Sequence, residues 1–136
     1  MTEAQKILEM IENVSPDDTD TLNEIDARVL KYTNKWVSHY DPKTETLVWD
    51  EKANAENDVW NLFRVEQYTR SRDALKSIRP EGWKWFMSHN VGIFTFVYHT
   101  GDHNKPEAHG DDLKTEELAE LHAIIRAIEW ERNNDT

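Results

Sequence analysis

Residues 68–98 read YTRSRDALKSIRPEGWKWFMSHNVGIFTFVY, and the hydrophobic period changes within them. Ser71 carries a side chain suited to capping a helix, and Ala74, Leu75 and Ile78 follow at helical spacing. Pro80 ends that helix and Gly82 frees the turn after it. From Gly82 onward the spacing is two. Trp83, Trp85 and Met87 point one way, and residues 93–98 form a second aromatic and β-branched run. A two- or four-residue loop around Asn90-Val91-Gly92 predicts a hairpin. It places Trp83, Trp85 and Met87 on the same face as Phe94, Phe96 and Tyr98. That face is expected to meet the C-terminal helix.

The flanks extend the pattern. Residues 2–14 read as an amphipathic helix with Ile7, Leu8, Ile11 and Val14 on one face, broken by Ser15-Pro16. Asp17, Asp18 and Asp20 form an acidic turn suited to the start of a second helix. Thr21-x-x-Glu24 fits a capping box for that helix, which runs to about Asn34. Tyr40-Asp41-Pro42-Lys43 reads as a turn between strands at 35–39 and 46–49, and 52–58 as a polar loop. Trp60, Leu62, Phe63 and Val65 then return to the core. Residues 100–112 read as a loop, followed by a helix from Thr115, whose hydroxyl can cap it, to about Asn133. The expected fold is α+β: a small antiparallel sheet with long N- and C-terminal helices packed around it, in an αβα sandwich. Phe86 and Val97, of opposite parity to Trp83, suggest that both sheet faces are covered.

Two motifs carry a resemblance. One is Tyr68-Thr69-Arg70-Ser71-Arg72-Asp73-Ala74 followed by Pro80-Glu81-Gly82-Trp83; the other is Leu22-Asn23-Glu24-Ile25-Asp26-Ala27-Arg28-Val29. With the Ala/Leu-rich helix at 115–132, the chain resembles the phage ABA sandwich domain family, small proteins of tailed phages and prophages. The resemblance implies a phage accessory protein of the host cytoplasm. It brings no activity and no catalytic residue with it. The acidic loop after Thr100 and the charged C-terminal helix depart from the family pattern.

Composition narrows the function classes. A chain of 136 residues is one domain, able to bury roughly two-thirds of its unfolded surface. The net charge of −11 argues against direct binding of nucleic acid or of an anionic membrane. It permits a basic protein partner or mimicry of DNA charge. The chain lacks cysteine, so it has no thiolate nucleophile and no cysteine zinc site. No apolar run is long enough to span a bilayer, and no leader segment opens the sequence, which points to the cytoplasm.

Candidate chemistry is sparse. Residues His99, Asp102, His103, His109, Asp111 and Asp112 are of ligand type, but their spacing fits no established metal site. A solvated acidic loop is expected there, with no metal and no cofactor. No serine sits in a nucleophile elbow and no glycine cluster cradles phosphate. No catalytic residue is therefore nominated. A basic cluster, Arg64, Arg70, Arg72, Lys76, Arg79 and Lys84, interrupts the acidic sequence. Arg70, Arg72, Lys76 and Arg79 are the candidate ligand residues for an anion such as a nucleotide. The competing expectation is a surface neutralised by nearby carboxylates.

The C-terminal helix shows two sides. Leu118, Leu121, Ile124, Ile125 and Ile128 are expected to pack on the sheet. Ala119, Ala123, Ala127 and Trp130 form a row of small residues ending in an aromatic. That row is a candidate interaction face for a host or phage protein, or for a second copy in a homo-oligomer. It also fits packing within the chain, or plain helix propensity.

Overall fold

The computed structural model describes residues 1–33, 37–41, 46–49, 62–101 and 107–134; for 37–41, 46–49 and 62–64 it describes the backbone alone. The fold is α+β. In chain order the described elements are α1 (Glu3–Asn13), α2 (Thr19–Thr33), β1 (Val37–Asp41), β2 (Thr46–Trp49), β3 (Leu62–Arg64), α3 (Arg72–Lys76), β4 (Lys84–Asn90), β5 (Ile93–His99), β6 (Ala108–Leu113) and α4 (Glu116–Asn134). The strands form two antiparallel sheets of three, ordered β1-β2-β3 and β4-β5-β6.

Local chemistry explains the helix ends. Thr2 and Gln5 cap α1 reciprocally: Gln5 N donates to Thr2 Oγ1, and Thr2 N donates to Gln5 Oε1. The start of α2 differs from the expected Thr21 box. Asp18 caps it, accepting from Thr21 N at 3.2 Å and from the Thr21 hydroxyl at 2.7 Å. A carboxylate that can accept two such bonds outcompetes a hydroxyl at the positive end of a helix. Ser71 caps α3 by accepting from Ala74 N at 3.3 Å. Thr115 caps α4 by accepting from Leu118 N at 3.1 Å.

The strand expected at 35–39 lies at Val37–Asp41 and pairs with β2 as a hairpin. The expected turn at 40–43 lies partly outside the described residues, and the polar loop at 52–58 wholly outside. The central hairpin closes through Asn90↔Ile93, so Val91-Gly92 is a two-residue loop. Both loop residues have positive φ, 47° and 76°, as a type I′ turn requires. Trp85↔Tyr98, Met87↔Phe96 and His89↔Phe94 are cross-strand pairs on one face. That face meets α4, as the period of two predicted. The opposite face is closed at Val97 of β5, which is buried, and open at Phe86 of β4 and Ile93 of β5, 53% and 46% exposed.

Two expectations are corrected. First, residues 108–113 are not loop but the third strand, β6. Ala108 and Gly110 point inward, then Leu113 does. Phe94↔Leu113 and Phe96↔Gly110 place three steps of β6 against two of β5, so an extra residue bulges there, with Asp112 at φ 59°. The bulge shifts the inward parity and hides the alternation.

Second, the alanine side of α4 is not an outer face. Ala119, Ala123 and Ala127 are fully buried. A Cβ built on Gly110 would lie 2.0 Å from Ala119 O and 3.2 Å from Ala123 N, so β6 runs against this row at backbone contact distance. Only small residues on both sides permit that approach. The sheet therefore sits on the alanines rather than on the Leu/Ile row. The Leu/Ile side turns toward the first two helices: Tyr32 of α2 donates to Glu129, and His122 Nε2 lies 2.9 Å from Glu12 Oε1 of α1. Leu118 and Ile125 lie on that same side of the helix, within about 60° of both contacts. Trp130, the end of the proposed row, is half-buried and edge-on to Trp83 at 6.0 Å. The layers are thus the β4–β6 sheet, then α4, then α1 and α2. Among the described elements, the N-terminal helix packs chiefly on α2 and α4.

Candidate functional site

The basic cluster was the sequence's clearest invitation to a ligand, and the fold divides it in two. Arg70, at the turn before α3, reaches α2. It donates to Asp26 Oδ2 at 2.8 Å and Asn23 Oδ1 at 2.6 Å, while Thr69 N donates to Asp26 Oδ1 at 2.8 Å. Asp26 is buried, and burial holds its carboxyl above the ordinary aspartate range against the opposing pull of Thr69 and Arg70. The two sequence motifs are thereby bonded to one another: Asp26 belongs to one, Thr69 and Arg70 to the other.

The second half centres on Glu120 of α4. It is fully buried, with Arg79 donating to both its oxygens, Oε2 at 3.2 Å, and Arg72 donating to Oε1 at 3.4 Å. Arg72 also pairs with Glu116. Trp85 of β4 closes the cluster from outside, its ring 5.1 Å from the Arg72 guanidinium and 5.4 Å from that of Arg79. Lys76 stands apart, exposed and 3.3 Å from Asp73. Arg64 has no described side chain, and Lys84 is exposed.

The arginines are thus engaged from within. Two buried carboxylates require counter-charges, because an unpaired buried ion is far costlier than a solvated one. Of the candidate ligand residues, only Arg72 and Arg79 converge, and they converge on Glu120. An anion at Arg70, Arg72, Lys76 and Arg79 would compete with Asp26, Glu116, Glu120 and Asp73 for the same donors.

A groove of about 390 Å³ runs beside Arg79, lined also by Tyr68, Ser77, Ile128 and Arg132. Its polar groups serve the fold. Ser77 Oγ donates to Ala74 O, and Arg132 donates to Tyr32 O at 2.8 Å while stacking on the Tyr32 ring at 4.2 Å. Burial, and then the charge of Glu66, push the Tyr68 phenol up to about 12. Burial and the charge of Glu120 push Tyr98 up as well. Both stay neutral at ordinary pH, so neither is a ready base.

His122, which the sequence left scattered, is buried in α4 and bridges three elements. Its Nδ1 lies 3.2 Å from His109 O of β6 and its Nε2 meets Glu12. Asp102 and His103 of the candidate metal loop lie outside the described residues. His109 lies beside Asp111 of its own strand and Glu107 just before it. Among the described residues no group of three His, Asp or Glu side chains is arranged to hold a metal ion.

Among the described residues, the exposed large apolar side chains other than Met1 lie on the hairpin. Trp85 is 44% exposed, Phe86 53%, Ile93 46% and Val91 92%. Residues 82–101 contain no Asp or Glu, in a chain that has 27 of them. Among the described residues no helix is long and apolar enough to cross a membrane. Comparison with protein-family models, with curated proteins and with solved structures finds no match to this chain.

Proposed function

We propose that this chain is a phage accessory protein of the host cytoplasm that works by binding another protein and catalyses no reaction. The observation that carries the reading is the exposed apolar surface of the β4–β5 hairpin. Single exposed apolar residues are ordinary, but this hairpin is apolar on both sides, with Phe86 and Ile93 exposed on the face away from α4, Trp85 half-exposed on the other and Val91 at the turn, and such clustering is of the kind that marks a protein interface. Tryptophan is among the side chains that dominate binding energy when a partner covers them. The hairpin is free of carboxylates, so a partner covers it without desolvating an anion. The acidic remainder of the chain favours a partner whose apolar surface is ringed by basic side chains. The phage setting rests on the two sequence motifs. The alternative, a nucleotide-sequestering protein, rests on arginines that Asp26 and Glu120 already engage.

The test is capture from phage-infected host cells with wild-type protein and a Phe86→Ser/Ile93→Ser double variant, then binding of the purified pair. The expected result is a saturable partner whose affinity falls at least tenfold in the double variant and weakens as salt rises. A partner bound equally by both proteins, or no saturable partner, overturns the reading.

A further inference from the structure

The two edges of the β4-β5-β6 sheet are treated differently. The β6 edge carries a bulge, the left-handed Asp112, and two adjacent carboxylates, Asp111 and Asp112. These are the devices that stop one sheet edge from pairing with another. The β4 edge has no bulge and no left-handed residue, and its one Lys, Lys84, stands at its first position. It is seven residues long, in unbroken register with β5, with no proline and no acidic residue. Among the described residues no strand pairs with its outer side.

Hairpin geometry says which groups that edge offers. The two-residue turn makes Asn90↔Ile93 a hydrogen-bonded pair, and such pairs alternate along an antiparallel ladder. Ser88, Phe86 and Lys84 therefore turn their main-chain groups toward β5. Trp85, Met87 and His89 turn theirs outward.

We infer that the β4 edge pairs antiparallel with β4 of a second copy, joining two sheets into one. The outward groups choose the register. A two-fold axis at Met87 sets Met87 against its own copy and Trp85 against the partner's His89, so every outward N–H and C=O finds a partner. It also sets Lys84 against Asn90 and Phe86 against Ser88, so no like charges face each other. Charge selects a second copy over a basic protein at this edge. Two chains of net charge −11 repel over most of their surfaces, whereas residues 82–101 offer a meeting line without carboxylates and with Lys84 exposed. A strand of seven residues spans only ~23 Å, so the dimer is a weak one. Pairing at the edge leaves the faces of Phe86 and Ile93 open, so the inference stands independently of any partner docked there.

Sedimentation equilibrium over a wide concentration range, with three variants, tests it. Wild type should pass from monomer to dimer. Met87→Pro should remain monomeric, since it removes an outward N–H that the monomer does not use. Asn90→Glu, placed opposite the partner's Lys84, should tighten the dimer about threefold, and Asn90→Lys should weaken it. If Met87→Pro fails to fold, hydrogen exchange replaces it: the amides of Trp85, Met87 and His89 in wild type should slow as concentration rises. Wild type that stays monomeric, a dimer that persists in folded Met87→Pro, or unchanged exchange at those amides overturns the proposal. So does protection of those amides only when a foreign protein is added, which would give the edge to another strand.

Discussion

Glu120→Gln offers the sharpest test of the buried ion cluster. The side chain is fully buried, with Arg79 at 3.2 Å from one oxygen and Arg72 at 3.4 Å from the other. At an effective dielectric of about 20, each pair is worth roughly 5 kcal/mol before desolvation. Desolvation cancels much of that, and removing one member of a buried pair costs about 3–5 kcal/mol in practice. The Arg72 and Arg79 side chains are 30% and 21% exposed, so each can recover some solvation after the change. Glutamine also keeps one acceptor. The lower end, about 3 kcal/mol, is therefore expected. Urea denaturation followed by tryptophan fluorescence reads it. With a slope near 2 kcal/mol/M, the midpoint should fall by roughly 1.5 M at unchanged slope. Arg72→Leu/Arg79→Met/Glu120→Met, which removes the charges together, should come back to within about 1 kcal/mol of wild type. A Glu120→Gln loss below about 1 kcal/mol would show that the cluster is solvated and the reasoning mistaken.

Three further outcomes follow from the fold. Gly110→Ala should destabilise by about 3 kcal/mol or more, because its Cβ meets Ala119 O at 2.0 Å; chemical denaturation or loss of soluble expression reads this. Val91→Asn should stabilise by about 1 kcal/mol, since a β-branched residue is strained at φ 47° and asparagine is not; the melting temperature should rise by roughly 3–6 °C. Asp26 has a raised folded pKa, so its carboxyl binds a proton more tightly in the native state than in the unfolded one. Its contribution is full below the ordinary value of 3.8 and declines as pH rises through the raised folded value. Melts from about pH 3 to about pH 7 should show wild type losing ground to Asp26→Asn across that window, and a difference that grows with pH would contradict the assignment.

Local chemistry made much of the fold legible. Ser71, Pro80 and Gly82 punctuate the chain, and the alternation after Gly82 is strong enough to set both hairpin register and inward face. Long-range contact hid the rest. Strand β6 is written in His, Gly and Asp, which favour turns, and it is a strand because β5 pairs with it and α4 covers it. The wheel of α4 shows which sides are apolar but not how near a neighbour comes. Backbone contact at Gly110 calls for alanines, so the less hydrophobic side took the sheet. Glu120 and Asp26 look like any other carboxylate in this acidic chain. Their arginine partners lie 41 to 48 residues away, beyond any local pattern.

The central place of α4 bears on how the protein is made. The helix is buried around its circumference from Leu118 to Ile125 and closes both the hairpin and the N-terminal helix. During synthesis, Ile7 and Ile11 of α1 and Phe96 and Tyr98 of β5 leave the ribosome long before the surface that covers them. The contact from Glu12 to His122 spans 110 residues. Native packing must therefore wait for translation to pass α4, and closing so long a loop makes the final collapse slow. Until then the nascent chain holds its apolar faces open, and the acidic segments between them are its chief defence against aggregation.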